Sequence, residues 1–164
     1  MAATYTPIAS ITLGTALSSI TFSSIPQTYT DLILVSSPIN SGITAVNIYF
    51  NSDTGTNYSC TRVYSGGGVA STDRFSNTAS SLGGWGTNAN TNPYLFTSHI
   101  MNYANTTTNK TMLTRTAEMN AGYVGLITTL WRSTAAITSI SFTGNLNFSV
   151  GSTFNLYGIL GANA

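Results

Sequence analysis

His99 lies in the stretch LFTSHIMNY and is the sole histidine of the sequence. A Ser-His-Asp site would need it beside a hydroxyl nucleophile and a carboxylate, and the G-x-S-x-G turn that often presents such a serine is absent. The alternation around His99 instead predicts a half-buried polar residue in the middle of a strand. The carboxylates are Asp31, Asp53, Asp73 and Glu118, far apart in the chain. Glycoside hydrolysis requires two of them within about 5–9.5 Å across a sugar, and nothing in their spacing sets up such a pair. One His and one Cys (Cys60) are too few for a zinc site of nitrogen and sulfur ligands. NSDTGTN lacks the repeated acidic spacing of a calcium loop, and SGGGVAS lacks the Lys-Ser/Thr that follows the glycines of a phosphate loop. Arg62, Arg74, Arg115 and Arg132 are scattered, better placed to pair with the four acids than to build an anion site. The expectation is therefore no catalytic residue, no cofactor and no metal: not an enzyme.

The elements that must position these side chains can be read from alternation. Ile8 to Leu13 and Ser18 to Ile25 read as strands, and DLILV (Asp31 to Val35) as a short run buried on both faces. ITAVNIYF (Ile43 to Phe50) puts Val46, Ile48 and Phe50 on one side. In YSCTRVY (Tyr58 to Tyr64), Tyr58, Cys60, Arg62 and Tyr64 share a face. Residues 65–93, with two glycine clusters and little periodicity, read as a long irregular loop segment. Strands resume at Tyr94–Tyr103, Lys110–Glu118, Tyr123–Arg132 and Ile137–Thr143, and close with Thr153–Leu160. The run from Tyr123 to Trp131 is apolar on both faces at its middle, which predicts a central position. No segment holds apolar residues at helical spacing for three turns, and β-branched and aromatic side chains are abundant. The fold expected is all-β: one antiparallel β-sandwich domain over 1–164, jelly-roll-like, of about ten strands.

Composition narrows the partners. Charged residues make up 5% of the chain, with a formal net charge of +1, while 42% are hydrophobic. Ser, Thr and Asn supply about 40% of all residues and so most of the polarity. Five basic residues give no footprint for nucleic acid or an anionic membrane. The start, MAATYTPIAS, has no basic or long apolar region, so no secretory signal is expected. No apolar run approaches the ~20 residues of a membrane helix. β-rich domains ordinarily guard their edges with Lys, Glu or Pro and hold net charge away from zero. With one lysine, this chain is expected to be covered by copies of itself or by a partner, as part of an obligate assembly.

Several stretches resemble a group of small β-rich structural proteins of tailed bacteriophages, including those of cyanobacteria. They are TYTPIASITLGTALSSITFSSIPQTYTDLILV, NIYFNSDTGTNYSCTRVYSGGG, HIMNYANTTTNKTMLTR, LWRSTAAITSISF and GSTFNLYGIL, which cover most of the chain outside about Val69 to Asn92. The resemblance implies a virion component made in the host cytoplasm. The first form of that expectation is a capsid decoration (cement) protein on the shell exterior. It would bind the major capsid protein, with a homotrimer favoured, and stabilise the shell. The alternative is a tail-fibre or tail-tip head that binds host-surface glycan. Trp85 and Tyr94, flanked by Gly and Asn in LGGWGTNANTNPY, would be its stacking platform, unless Trp85 packs over the sandwich or into an interface. Residues 1–8 are expected to be a frayed tip or an arm reaching to a neighbour, with Tyr5 and Ile8 as anchors. Tyr5, Ile8, Trp85 and Tyr94 are thus the candidate contact residues.

Overall fold

The computed structural model describes residues 4–41, 45–85, 89–90, 93–118 and 122–161, of which 40–41, 82–85, 89–90 and 94 by backbone alone. All regular structure among them is β, and every strand pairing is antiparallel. In chain order the strands are β1 (Tyr5–Thr12), β2 (Leu17–Phe22), β3 (Asp31–Ser37), β4 (Asn40–Ser41), β5 (Ala45–Phe50), β6 (Tyr58–Ser65) and β7 (Ser71–Thr78). They continue with β8 (Ser81–Trp85), β9 (Ala89–Asn90), β10 (Tyr94–Met101), β11 (Lys110–Glu118), β12 (Val124–Trp131), β13 (Ile140–Phe148) and β14 (Thr153–Ile159).

An eight-stranded sheet runs β1-β14-β3-β10-β11-β12-β6-β7, a four-stranded sheet runs β2-β13-β5-β8, and β4 pairs with β9. Set aside β4 with β9 and the two hairpins β6–β7 and β11–β12, and eight strands remain. Counted along the chain, their order is 1-8-3-6 in one sheet and 2-7-4-5 in the other. That interleaving is the jelly roll. The two hairpins are insertions, and both add to the same edge, beyond β10. One sheet thereby becomes twice as wide as its partner.

The two sheets meet through alternate residues. Leu32 and Leu34 on β3, Phe96 and Ile100 on β10, and Phe154 and Leu156 on β14 face Ile20, Phe22, Val46, Ile48, Phe50, Ile140 and Phe142. Phe154 sits at the centre, its ring centroid 5.2 Å from those of both Phe142 and Phe148. Burying such side chains contributes about 1.5–3 kcal/mol each, which is how a strand seven residues long can hold the end of the sandwich together.

Four expectations change. Residues 65–93 are not one irregular loop, because β7, β8 and β9 fall inside them. β7 (STDRFSNT) is an edge strand with little to bury, so it carries no apolar alternation for a sequence reading to find. The strand expected at Ile137–Thr143 runs Ile140–Phe148; Ile137 is buried before it, donating its N–H to Tyr103 O. DLILV alternates, with Leu32 and Leu34 inside and Ile33 and Val35 half-buried on the outer face. Among the described residues fourteen strands replace about ten, chiefly through β4, β7, β8 and β9.

Candidate binding face

The added hairpins create a surface that the second sheet, on the opposite side, does not cover. Outward positions on β10, β11, β12 and β6 fall into register across the strands. Leu95, Ala117, Val124 and Ser65 form one row; Thr97, Arg115, Leu126 and Val63 the next; His99, Leu113, Thr128 and Thr61 a third. An antiparallel sheet wet on one side normally alternates apolar inside with polar outside. Here Val63, Leu95, Leu113, Val124 and Leu126 all point to solvent, with Val124 57% exposed. Around the first two rows the surface encloses a shallow, open-sided cavity of about 770 Å³, bounded at the β6–β7 turn by Ala70. Beside Ala70, Val69 is almost wholly exposed.

Two polar features stand on this face. Arg115 occupies the middle of the second row, between Thr97 and Leu126, and has no ion-pair or hydrogen-bond partner among the described residues. His99 stands 2.8 Å from Asp31 Oδ2 through Nε2, while Asp31 Oδ1 accepts the Asn102 N–H at 2.8 Å. The Asp31–His99 pair has the first two members of a hydrolytic triad, but its cross-strand neighbours at the His99 position are Ile33 and Leu113. Among the described residues no hydroxyl is hydrogen-bonded to His99, and the pair ties β3 to the end of β10.

The other titratable groups serve the fold. Asp53 Oδ2 accepts from Trp131 Nε1 at 2.7 Å and Asn57 Nδ2 at 2.9 Å, and Oδ1 accepts the Gly55 N–H at 2.8 Å. Burial by itself would raise this carboxyl, but those three bonds outweigh it and hold Asp53 below its ordinary value. The Arg62 guanidinium bonds the Asp73 carboxylate, which lowers Asp73, and also lies 4.4 Å from the Tyr64 ring centroid. Lys110 is fully buried, and its Nζ donates to Thr108 O at 2.7 Å and Thr134 O at 3.2 Å; burial pushes it below the usual lysine range. Cys60 is buried with its Sγ 3.5 Å from Thr129 Oγ1. Among the described residues, no three of His, Cys, Asp and Glu are grouped to hold a metal ion.

The candidate contact residues do not converge. From Tyr5 onward the N-terminal segment is not an extended arm but β1, paired with β14 of the same chain as Tyr5↔Ile159, and Ile8 packs half-buried against the core. Trp85 ends β8, with its backbone opposite Ala45, and Tyr94 begins β10, opposite Glu118. Their side chains lie outside the described residues, as does most of the loop between them. Trp131, by contrast, is core, stacked near Tyr58 with centroids 6.3 Å apart. Sequence reasoning passed over Arg115, Leu126 and Val124 as site residues. The one available signal was the doubly apolar run Tyr123 to Trp131, which holds Val124 and Leu126 and reads as a covered strand. No family model matches this chain, and no curated protein is detectably similar to it.

Proposed function

We propose that this chain is a non-enzymatic structural subunit of a tailed-phage particle, a decoration protein that binds the capsid exterior and stabilises the shell. The observation that carries the reading is the apolar outer face of the widened sheet, exposed on a molecule that has almost no charge to keep it apart from a partner. Monomeric soluble proteins rarely leave apolar patches of more than a few hundred Å² open, and larger ones mark interaction sites. The jelly roll suits the role, being used in capsid and lectin domains alike, although a fold by itself assigns no function. The resemblance to phage structural proteins across most of the sequence points the same way. Association as a trimer belongs to the proposal, with strand edges such as β7 and β1 available for pairing.

The test is reconstitution. Capsids of the encoding phage, prepared without this chain, are mixed with purified protein, and bound copies are counted by gel densitometry. The expected result is a copy number comparable to that of the shell subunit and a higher temperature of shell disruption. Binding of only a handful of copies without protection would refute the decoration role. Glycan-array binding abolished by Trp85→Ala would move the chain to the host-recognition alternative.

A further inference from the structure

We propose that the outward face of β6, β10, β11 and β12 is the docking site, and that its partner is a different protein presenting an apolar surface with one carboxylate, received by Arg115. The inference rests on the decoration reading and names the surface and partner chemistry that reading leaves open.

Three observations lead to it. Arg115 is set among Leu126, Val63, Leu95 and Ala117 rather than among charges, and it has no partner among the described residues. A guanidinium is more weakly hydrated than an ammonium and presents a planar fork that matches a carboxylate, with the bond strengthened once water is excluded. The apolar ring around it is what excludes that water, the arrangement found at interface hot spots.

The second observation concerns what the partner is not. A second copy of this chain has four acidic side chains, and each already has a partner within its own chain. Asp31 holds His99 and the Asn102 amide, Asp53 holds Trp131, Asn57 and Gly55, and Asp73 holds Arg62. Glu118 is engaged as well. Two copies meeting face to face about a two-fold axis would also bring their Arg115 side chains towards one another. In the trimer proposed above the subunits meet through strand edges such as β7 and β1, which leaves this face for another chain.

The third is size. Four strands about 4.8 Å apart and eight residues long at about 3.3 Å rise cover roughly 500 Å². A stable interface takes about 800 Å² per partner. The face can thus form the centre of an interface, with the β6–β7 turn carrying Val69 and Ala70 at its rim.

The experiment measures binding of full-length wild type, Arg115→Glu, Arg115→Lys, Leu126→Asp and Leu146→Asp to capsids of the encoding phage. Leu146 is an exposed leucine on the other sheet and serves as the control. All four substitutions are at exposed positions, so thermal melts are expected to stay near wild type and to certify folding. Arg115→Glu and Leu126→Asp should each weaken binding at least tenfold. Arg115→Lys should lose less and Leu146→Asp nothing. Hydrogen exchange on the bound protein should slow in β11 and β12. If wild type binds and the face variants bind equally well, the docking face is wrong while the decoration role stands. If wild type fails to bind, the decoration role falls and takes this inference with it. Light scattering supplies a further refutation: Leu126→Asp or Arg115→Glu converting an oligomer to monomers would make the face a self-interface.

Discussion

Gly158 lies in β14, between β1 and β3, at a position whose inner side is occupied by the ring of Tyr29. Its φ is not positive, so backbone strain does not demand glycine there. On propensity alone, Gly158→Ala should stabilise a strand interior by about 0.5–1 kcal/mol. Packing predicts the opposite sign. A Cβ at this position would sit 2.3 Å from Tyr29 Cγ and 2.4–2.5 Å from Cδ2 and Cδ1. Restoring ordinary carbon contact at about 3.5 Å needs a shift of about 1.2 Å. Cγ lies on the Cβ–Cγ axis about which the ring turns, so the ring cannot clear the way by rotating. Overpacking of this kind costs about 1–3 kcal/mol. The net expectation is a loss of about 1–2 kcal/mol, or about 2–8 °C in melting temperature for a chain of this size. Urea denaturation of wild type, Gly158→Ala, Tyr29→Ala and the double variant measures it. Tyr29→Ala should be destabilised through lost packing, and adding Gly158→Ala to it should cost nothing further or regain the propensity term. A Gly158→Ala protein as stable as wild type, or equal penalties with and without Tyr29, would refute the packing argument.

Two further outcomes concern ionisation. Lys110 is held below its ordinary value of 10.5, so the unfolded chain binds the extra proton between the two values and stability should rise with pH across that interval. Chemical denaturation at a series of pH values below 10.5 should show that rise in wild type and not in Lys110→Met. Above the ordinary tyrosine value of 10.0 the trend reverses, because burial raises Tyr58, Tyr103 and Tyr123 and the folded state then holds more protons. Asp53 has the opposite sense to those tyrosines. Its lowered value means that its contribution is complete above the ordinary value of 3.8 and is lost as pH falls through the folded one. The stability gap between wild type and Asp53→Asn should therefore narrow in acid, and a gap independent of pH would count against the Trp131–Asp53 bond as its source.

Much of the scaffold was legible because alternation reports burial directly. Val46, Ile48 and Phe50 are all inside, Tyr58, Cys60 and Arg62 share the inner face as expected, and β11 runs Lys110–Glu118 as expected. β14 buries Phe154 and Leu156 as its pattern required. β7 was not legible: a polar edge strand is held by its ladder to β6, and ladder bonds leave no mark on side-chain type. The candidate face was half legible. Val124 and Leu126 read as residues of a covered strand, but they alternate with the buried positions of β12 and point away from the second sheet, into water.

The residues alone determined that this chain is a sparsely charged all-β sandwich, since hydrophobic period and charge are properties of the string itself. The tertiary structure decided that both inserted hairpins extend the same sheet edge, that Asp53 closes on Trp131 across 78 positions, and that Arg115 is left among apolar neighbours. Those facts depend on which strands pair. Pairing is set by the mutual burial of segments far apart in the chain, and no local window of sequence contains both partners.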